Sequence, residues 1–184
     1  ALTEEERATG QALFCIAQPT TDLEIEVKEI DSADQLEVMT YPCKVARLDR
    51  LAHDVMRMEL TLPDDERLQF LAGQYVDILM EDGRRRAFSL ANAPHNDTRL
   101  ELHLRHVPGG EFTRHVFEEM QPKEILRIEG PHGGFYLREE SERPILMVAG
   151  GTGFAPLKGM IEHAFHVGID RPIHLFCGVR AHRD

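Results

Sequence analysis

Ile145-Leu146-Met147-Val148-Ala149 runs without a polar residue into Gly150-Gly151-Thr152-Gly153-Phe154-Ala155-Pro156, and this junction limits the fold more than any other stretch. An unbroken apolar run of that length reads as a strand buried on both faces of a parallel sheet. Leu157, Met160, Ile161, Ala164 and Phe165 follow at helical spacing, and residues 173–176 form a second strand-like run. Together they predict one right-handed βαβ unit. Glycines between strand and helix let the backbone approach a ligand, and a helix N-terminus favours phosphate, so this is a place for a dinucleotide to dock. Pro156 stands where a third glycine is usual in such fingerprints.

Upstream the texture changes to short strands: residues 44–48; Met56, Met58, Leu60 and Leu62 alternating with Arg57, Glu59 and Thr61; 75–80; 84–90; Leu100, Leu102 and Leu104; and 125–129. Six strands with one helix predict an antiparallel barrel. The helix follows Pro108-Gly109-Gly110-Glu111-Phe112-Thr113 and carries Phe112, Val116, Phe117 and Met120 on one stripe. Free amides behind two glycines, with the Thr113 hydroxyl beside them, make an anion site; a plain turn and cap is the alternative. Glu111 has to direct its charge away from any phosphate there.

Within the barrel segment, Arg84-Arg85-Arg86-Ala87-Phe88-Ser89-Leu90-Ala91-Asn92-Ala93-Pro94 reads as a flavin cradle. Side chains alternate along an extended chain, so Arg86 and Phe88 project the same way. A guanidinium suits a pyrophosphate and an aromatic ring suits a flat or ribityl surface. Ser89 reaches the same ligand if the strand ends or bulges there, and Pro94 marks such a break. A solvated basic hairpin behind the Asp82-Gly83 turn is the competing reading.

The net charge is -11 at pH 7, and residues 1–43 hold 10 acidic and 2 basic side chains, which argues against nucleic acid as a partner. The longest apolar runs fall short of the ~20 residues a spanning helix requires, and the N-terminal stretch has no signal-peptide pattern. A cytoplasmic, soluble protein is expected. Cys15, Cys43 and Cys177 do not form a disulfide framework. The pairs His103/His106 and His163/His166 lack neighbouring metal ligands in sequence and are expected to be surface histidines. Thr3 and Glu6 form a capping box for a brief opening helix, and residues 23–27 alternate as a strand. Residues 28–42 read as a linker.

The motifs Arg86-Ala87-Phe88-Ser89, Gly109-Gly110-Glu111-Phe112-Thr113, Gly130-Pro131-His132-Gly133, Gly150-Gly151-Thr152-Gly153 and Cys177-Gly178-Val179-Arg180, in this order and spacing, resemble the ferredoxin-NAD(P)H reductase family. The likeness is greatest to bacterial reductases of the CDP-deoxyglucoseen type, relatives of the electron-transfer components of aromatic oxygenases. Residues 1–27 resemble the C-terminal end of a plant-type ferredoxin, with Cys15 matching its fourth cluster ligand; a lone buried thiol is the alternative. That family draws its other three ligands from a C-x4-C-x2-C loop, which is not in these 184 residues.

The resemblance implies an α+β multidomain protein: a ferredoxin remnant at 1–27, a linker at 28–42, an antiparallel FAD-binding barrel at 43–140, and the first part of a parallel α/β NAD(P)-binding domain at 141–184. It implies that Arg86 holds the FAD pyrophosphate, Phe88 lies on the isoalloxazine where tyrosine is usual, and Ser89 bonds flavin N5 as the residue nearest the chemistry. It further implies FAD contacts from His103, Leu104, Arg105, Gly109, Gly110, Phe112 and Thr113. It places nicotinamide contacts on Thr152, Cys177 and Gly178, and makes Gly150, Gly151, Gly153 and Arg180 cofactor-binding residues as well. The implied activity is electron transfer from NAD(P)H through FAD to a 2Fe-2S cluster and on to an acceptor protein, a dehydrase or oxygenase component. Two rival readings stay open: a reductase that takes flavin as a diffusing substrate, and a non-catalytic flavin-binding interaction module.

Overall fold

The computed structural model describes residues 36–180, together with Thr3, Glu4, Ala8, Gln18 and Thr20. Glu4 and Ala8 are helical, within the expected opening helix. Cys15 and the strand expected at 23–27 lie outside the described residues.

Strict alternation builds the barrel. Strand β2 (Val55–Thr61) buries Met56, Met58 and Leu60, and β5 (Leu100–Arg105) buries Leu100, Leu102 and Leu104. Each buries one row of side chains inward and leaves the other half-exposed, the pattern of a sheet with one covered face. With β1 (Met39–Ala52), β3 (Tyr75–Leu79), β4 (Arg85–Ser89) and β6 (Ile125–His132) they form a six-stranded sheet in the order β4-β3-β6-β1-β2-β5, all pairings antiparallel. Leu90, just past β4, bridges Leu102 of β5 and brings the two edges together. Helix α1 (Glu111–Glu118) supplies Phe112 and Val116 to the core, joined by Met120 just beyond its end. Truncating a central side chain such as Leu102, which is fully buried, to alanine costs ~2–5 kcal/mol.

Strand β1 is longer than its sequence pattern implies. It starts at Met39, inside the segment read as a linker, because residues 39–44 pair with β6 while 44–52 pair with β2. Register shifts near Arg47 and Ala52 bend it between its two partners. Cys43 in β1 is a buried free thiol whose pKa burial pushes up to about 12.

The βαβ unit forms as expected: β7 (Ile145–Gly150), a 3-10 turn (Gly151–Gly153), α2 (Phe154–His166) and β8 (Ile173–Gly178), with β7 and β8 parallel. Helix α2 covers one face of β7, burying Met147 and Ala149 with Leu157, Met160 and Ala164. The opposite face differs from expectation, since Leu146 and Val148 are exposed. Among the described residues no helix is long and apolar enough to cross a membrane.

Candidate functional site

The β3–β4 hairpin turns at Gly83, whose φ of +84° is one that glycine adopts without strain. Asp82 Oδ1 accepts the Arg84 amide at 2.9 Å and fixes the turn. Beyond it the three arginines take different partners. Arg84 pairs with Asp82 and with Glu111 at the start of α1. Arg85 pairs with Glu129 and lies 3.7 Å from Asp77. Hydrogen bonds donated to Glu111 and Glu129, respectively, hold both guanidinium groups above their ordinary pKa. Arg86 has no carboxylate partner among the described residues and donates only to the Arg85 carbonyl at 2.9 Å.

Arg86 and Phe88 sit opposite Ile78 and Val76, two buried residues of one β3 face, so they share a face as the alternation predicts. Phe88 packs on Phe112 with ring centroids 5.8 Å apart at 42°. Ser89 ends the strand half-buried, and its hydroxyl makes no hydrogen bond among the described residues. Ala91, Asn92 and Ala93 directly after it are buried.

The glycine-led helix start is built differently from expectation. Gly109 takes φ +76° with open space around it. The Thr113 hydroxyl, however, is turned into its own loop: it accepts the Val107 amide at 3.1 Å and lies 3.3 Å from the Gly110 carbonyl. It braces the turn, and the first-turn amides of α1 have no intrahelical acceptor. Glu111 is neutralised by Arg84. Leu104 is fully buried and gives its side chain to the core, while His103 is half-buried with Nε2 2.7 Å from Glu101 Oε1.

The second half of the site lies where the parallel strands end. Gly150 pairs with Gly178 and Ala149 with Cys177 in register, so the glycine loop and the exposed Cys177-Gly178 stand side by side at the carboxyl ends of β7 and β8, the position where open α/β sheets take ligands. A Cβ at Gly150 or Gly153 would meet nothing within 4 Å, whereas at Gly151 it would lie 2.5 Å from Arg105 Nη2. Arg105 thus reaches from the barrel over the loop, with Thr152 half-buried beside it. Asp54, in the β1–β2 turn, lies 3.6 Å from Arg105 and accepts Arg180 at 2.7 Å. Burial raises the Asp54 pKa, but the Arg180 hydrogen bond and the charges of Arg105, His53 and Arg180 outweigh it and leave it lowered.

Sequence reasoning missed Asp54, Glu101 and Lys158. Burial works against the Glu101 charge, yet His103 and Lys158 hold its pKa down to about 2. The histidines are more engaged than surface residues. His163 pairs with Glu139, and His166 stacks on His95 with centroids 3.7 Å apart, because α2 packs against the 91–95 loop. His106 lies edge-on to Phe117. Asp77, Glu129 and His132 cluster closely enough to hold a metal ion, but the Arg85 guanidinium already supplies their positive charge.

Residues 42–136 match the family model for an oxidoreductase FAD-binding domain, and residues 147–184 that for an oxidoreductase NAD-binding domain. The chain is 39% identical over 180 residues to the CDP-6-deoxy-L-threo-D-glycero-4-hexulose-3-dehydrase reductase of Yersinia pestis, covering 98% of this chain and 54% of that protein. It is 36% identical to terephthalate 1,2-dioxygenase reductase component 2 of a Comamonas species, over 98% of this chain and 53% of that protein. The crystal structure of the Amycolatopsis cytochrome P450 reductase GcoB superposes with a TM-score of 0.75 at 34% identity, covering 99% of this chain and 56% of that one. The chain spans about half the length of the curated relatives it matches. With a barrel that presents Arg86, Phe88 and Ser89 and a glycine loop at the ends of parallel strands, the chain belongs to the ferredoxin reductase-type family of FAD- and NAD-binding oxidoreductases.

Proposed function

We propose that this chain is the flavin-binding core of a reductase that passes electrons from NAD(P)H through FAD to a 2Fe-2S centre and on to a dehydrase or oxygenase component. One observation carries the flavin reading: of three consecutive arginines, Arg84 and Arg85 are neutralised by carboxylates and Arg86 is not. A guanidinium that no carboxylate contacts among the described residues, on the same strand as an aromatic ring and a free hydroxyl, fits a flavin dinucleotide. The glycines fit a second ligand, since among the described residues nothing lies within 4 Å of a Cβ placed at Gly150 or Gly153.

When bound, FAD supplies hydride acceptance from the nicotinamide and release of the two electrons one at a time. The chain's residues bind and orient. Arg86 and the first amides of α1 neutralise the pyrophosphate through charge-assisted bonds. Phe88, backed by Phe112, offers a ring face whose tilt is fixed. Ser89 presents a hydroxyl with no competing protein partner at the strand end, where buried Ala91–Ala93 exclude water. Arg105 holds positive charge over Gly151 for the nucleotide phosphates, and Cys177-Gly178 line the nicotinamide side. Cys15, outside the described residues, is the cluster ligand this reading assigns. The domain limits 1–27, 28–42, 43–140 and 141–184 belong to the same reading, with the barrel extended back to Met39.

Gel filtration of the protein after incubation with FAD tests the proposal. A yellow protein peak with a structured flavin spectrum is expected. Flavin that elutes entirely with the salt would instead support the reading in which flavin is a diffusing substrate.

A further inference from the structure

Helix α2 is fastened to the barrel along a seam that none of the roles above uses. Lys158, in the second turn of α2, donates to the Ala91 carbonyl at 3.2 Å and to Glu101 Oε2 at 3.1 Å, and lies 2.9 Å from Glu162. Glu101 is tied into the barrel on its other side: its carbonyl accepts the Ala91 amide at 2.7 Å, and its amide donates to Asn92 Oδ1 at 2.9 Å. One residue on from Lys158, Gly159 approaches so closely that a Cβ there would lie 2.7 Å from the Asn92 carbonyl oxygen.

Position in the chain gives this seam its meaning. Ala91 is two residues past Ser89, and Lys158 is five past Gly153, so the pair joins the flavin end of β4 to the helix that carries the glycine loop. The side chains of Lys158 and Glu101 are only 27% and 15% exposed, which shields their attraction from water and salt. The packing around Gly159 sets how closely the helix approaches the 91–92 backbone; a charge pair that also holds a main-chain carbonyl adds a directional restraint, because its hydrogen bonds have one best geometry.

We propose that Lys158 and Glu101 are positioning residues whose ion pair, anchored on the Ala91 carbonyl, sets the separation between the flavin cradle and the nicotinamide-binding loop. The inference rests on the electron-transfer reading given above. Burial alone would lower the Lys158 pKa, but Glu162 and Glu101 raise it, and Glu101 stays ionised down to about 2, so the join is intact throughout the neutral range.

The test uses the full-length protein carrying Lys158→Met, which keeps the apolar stem and removes the ammonium. FAD is retained and NAD(P)H affinity changes by no more than about twofold, while the limiting rate of flavin reduction falls at least ~10-fold, since a misplacement near 1 Å costs up to ~100-fold. Lys158→Arg recovers most of the rate; Glu101→Gln lowers it comparably, and the double variant loses no more than either single one. Hydrogen exchange on the flavin-free protein gives a second readout: amides around Ala91 and Glu101 exchange faster in Lys158→Met, while those of β1 to β3 do not. An unchanged reduction rate with FAD bound, loss of FAD, or faster exchange throughout the barrel would each overturn the proposal. If the unsubstituted protein binds FAD but NAD(P)H does not reduce it, the electron-transfer reading fails, and unchanged exchange at the seam would overturn the positional role separately.

Discussion

Arg84 and Glu111 form an ion pair across the gap between the β3–β4 hairpin and the start of α1, and this pair decides which arginine of the run is free to hold an anion. With Arg85 taken by Glu129, the task falls to Arg86. Arg86→Ala is expected to weaken FAD binding by ~1.5–3 kcal/mol, the worth of a hydrogen bond to a charged group, and fluorescence titration with FAD measures it. Arg84→Ala has a smaller effect, because it removes no phosphate contact and only leaves the Glu111 charge uncompensated beside the helix end. Equal losses for the two variants would remove the distinction.

Ser89→Ala separates binding from chemistry. A hydroxyl without a protein partner contributes little to the affinity of a ligand as large as FAD, but at the flavin ring it acts where charge changes during reduction. Flavin is retained and its reduction by NAD(P)H slows, as followed by stopped-flow absorbance. An unchanged rate would leave Ser89 as a strand end and nothing more.

Two neighbouring glycines respond differently to alanine. Gly150 has ordinary extended backbone, φ -125° and ψ 118°, and space around it, so Gly150→Ala keeps the melting temperature and lowers affinity for NAD(P)H only by crowding the ligand. Gly151 has φ +53° with Arg105 directly over it. Gly151→Ala therefore lowers both, at ~1–2 kcal/mol for the left-handed backbone plus displacement of Arg105. Calorimetric melting and nucleotide titration of the two variants check the contrast.

The Glu101 carboxyl gives the seam a pH signature. Its pKa falls from the ordinary 4.5 to about 2 in the folded protein, so its contribution to stability is fully present above about 4.5 and is lost as pH falls through that window. Glu101→Gln destabilises the protein at neutral pH and flattens the acid limb of its stability curve between about pH 4.5 and 2. Urea midpoints of both proteins across that range measure the difference. Parallel acid limbs would mean that the Lys158 and His103 contacts do not hold the charged form.

What was legible in the sequence was whatever has a local period or a local constraint. The alternation in β2 and β5, the helical stripe of Phe112 and Val116, and the run of 145–149 each dictate an element without reference to the rest of the chain. Arg86 and Phe88 share a face because a strand has period two. Thr113 behind two glycines suits both a ligand hydroxyl and a turn brace, and only the folded loop shows its hydroxyl accepting the Val107 amide. Met39 resembles linker in sequence because its partner, Gly130, is far along the chain. The same holds for Asp54 with Arg180 and for Glu101 with Lys158: ion pairs between distant residues leave no mark in a single sequence, since each partner alone resembles any solvated charge.

The most direct test of the account is anaerobic mixing of the FAD-loaded full-length protein with one equivalent of NADH, and separately of NADPH, while flavin absorbance is followed. The account predicts that the flavin bleaches with at least one of them in a single fast phase, and that ferricyanide restores its colour. A protein that retains FAD through gel filtration yet shows no bleaching with either nucleotide would contradict it.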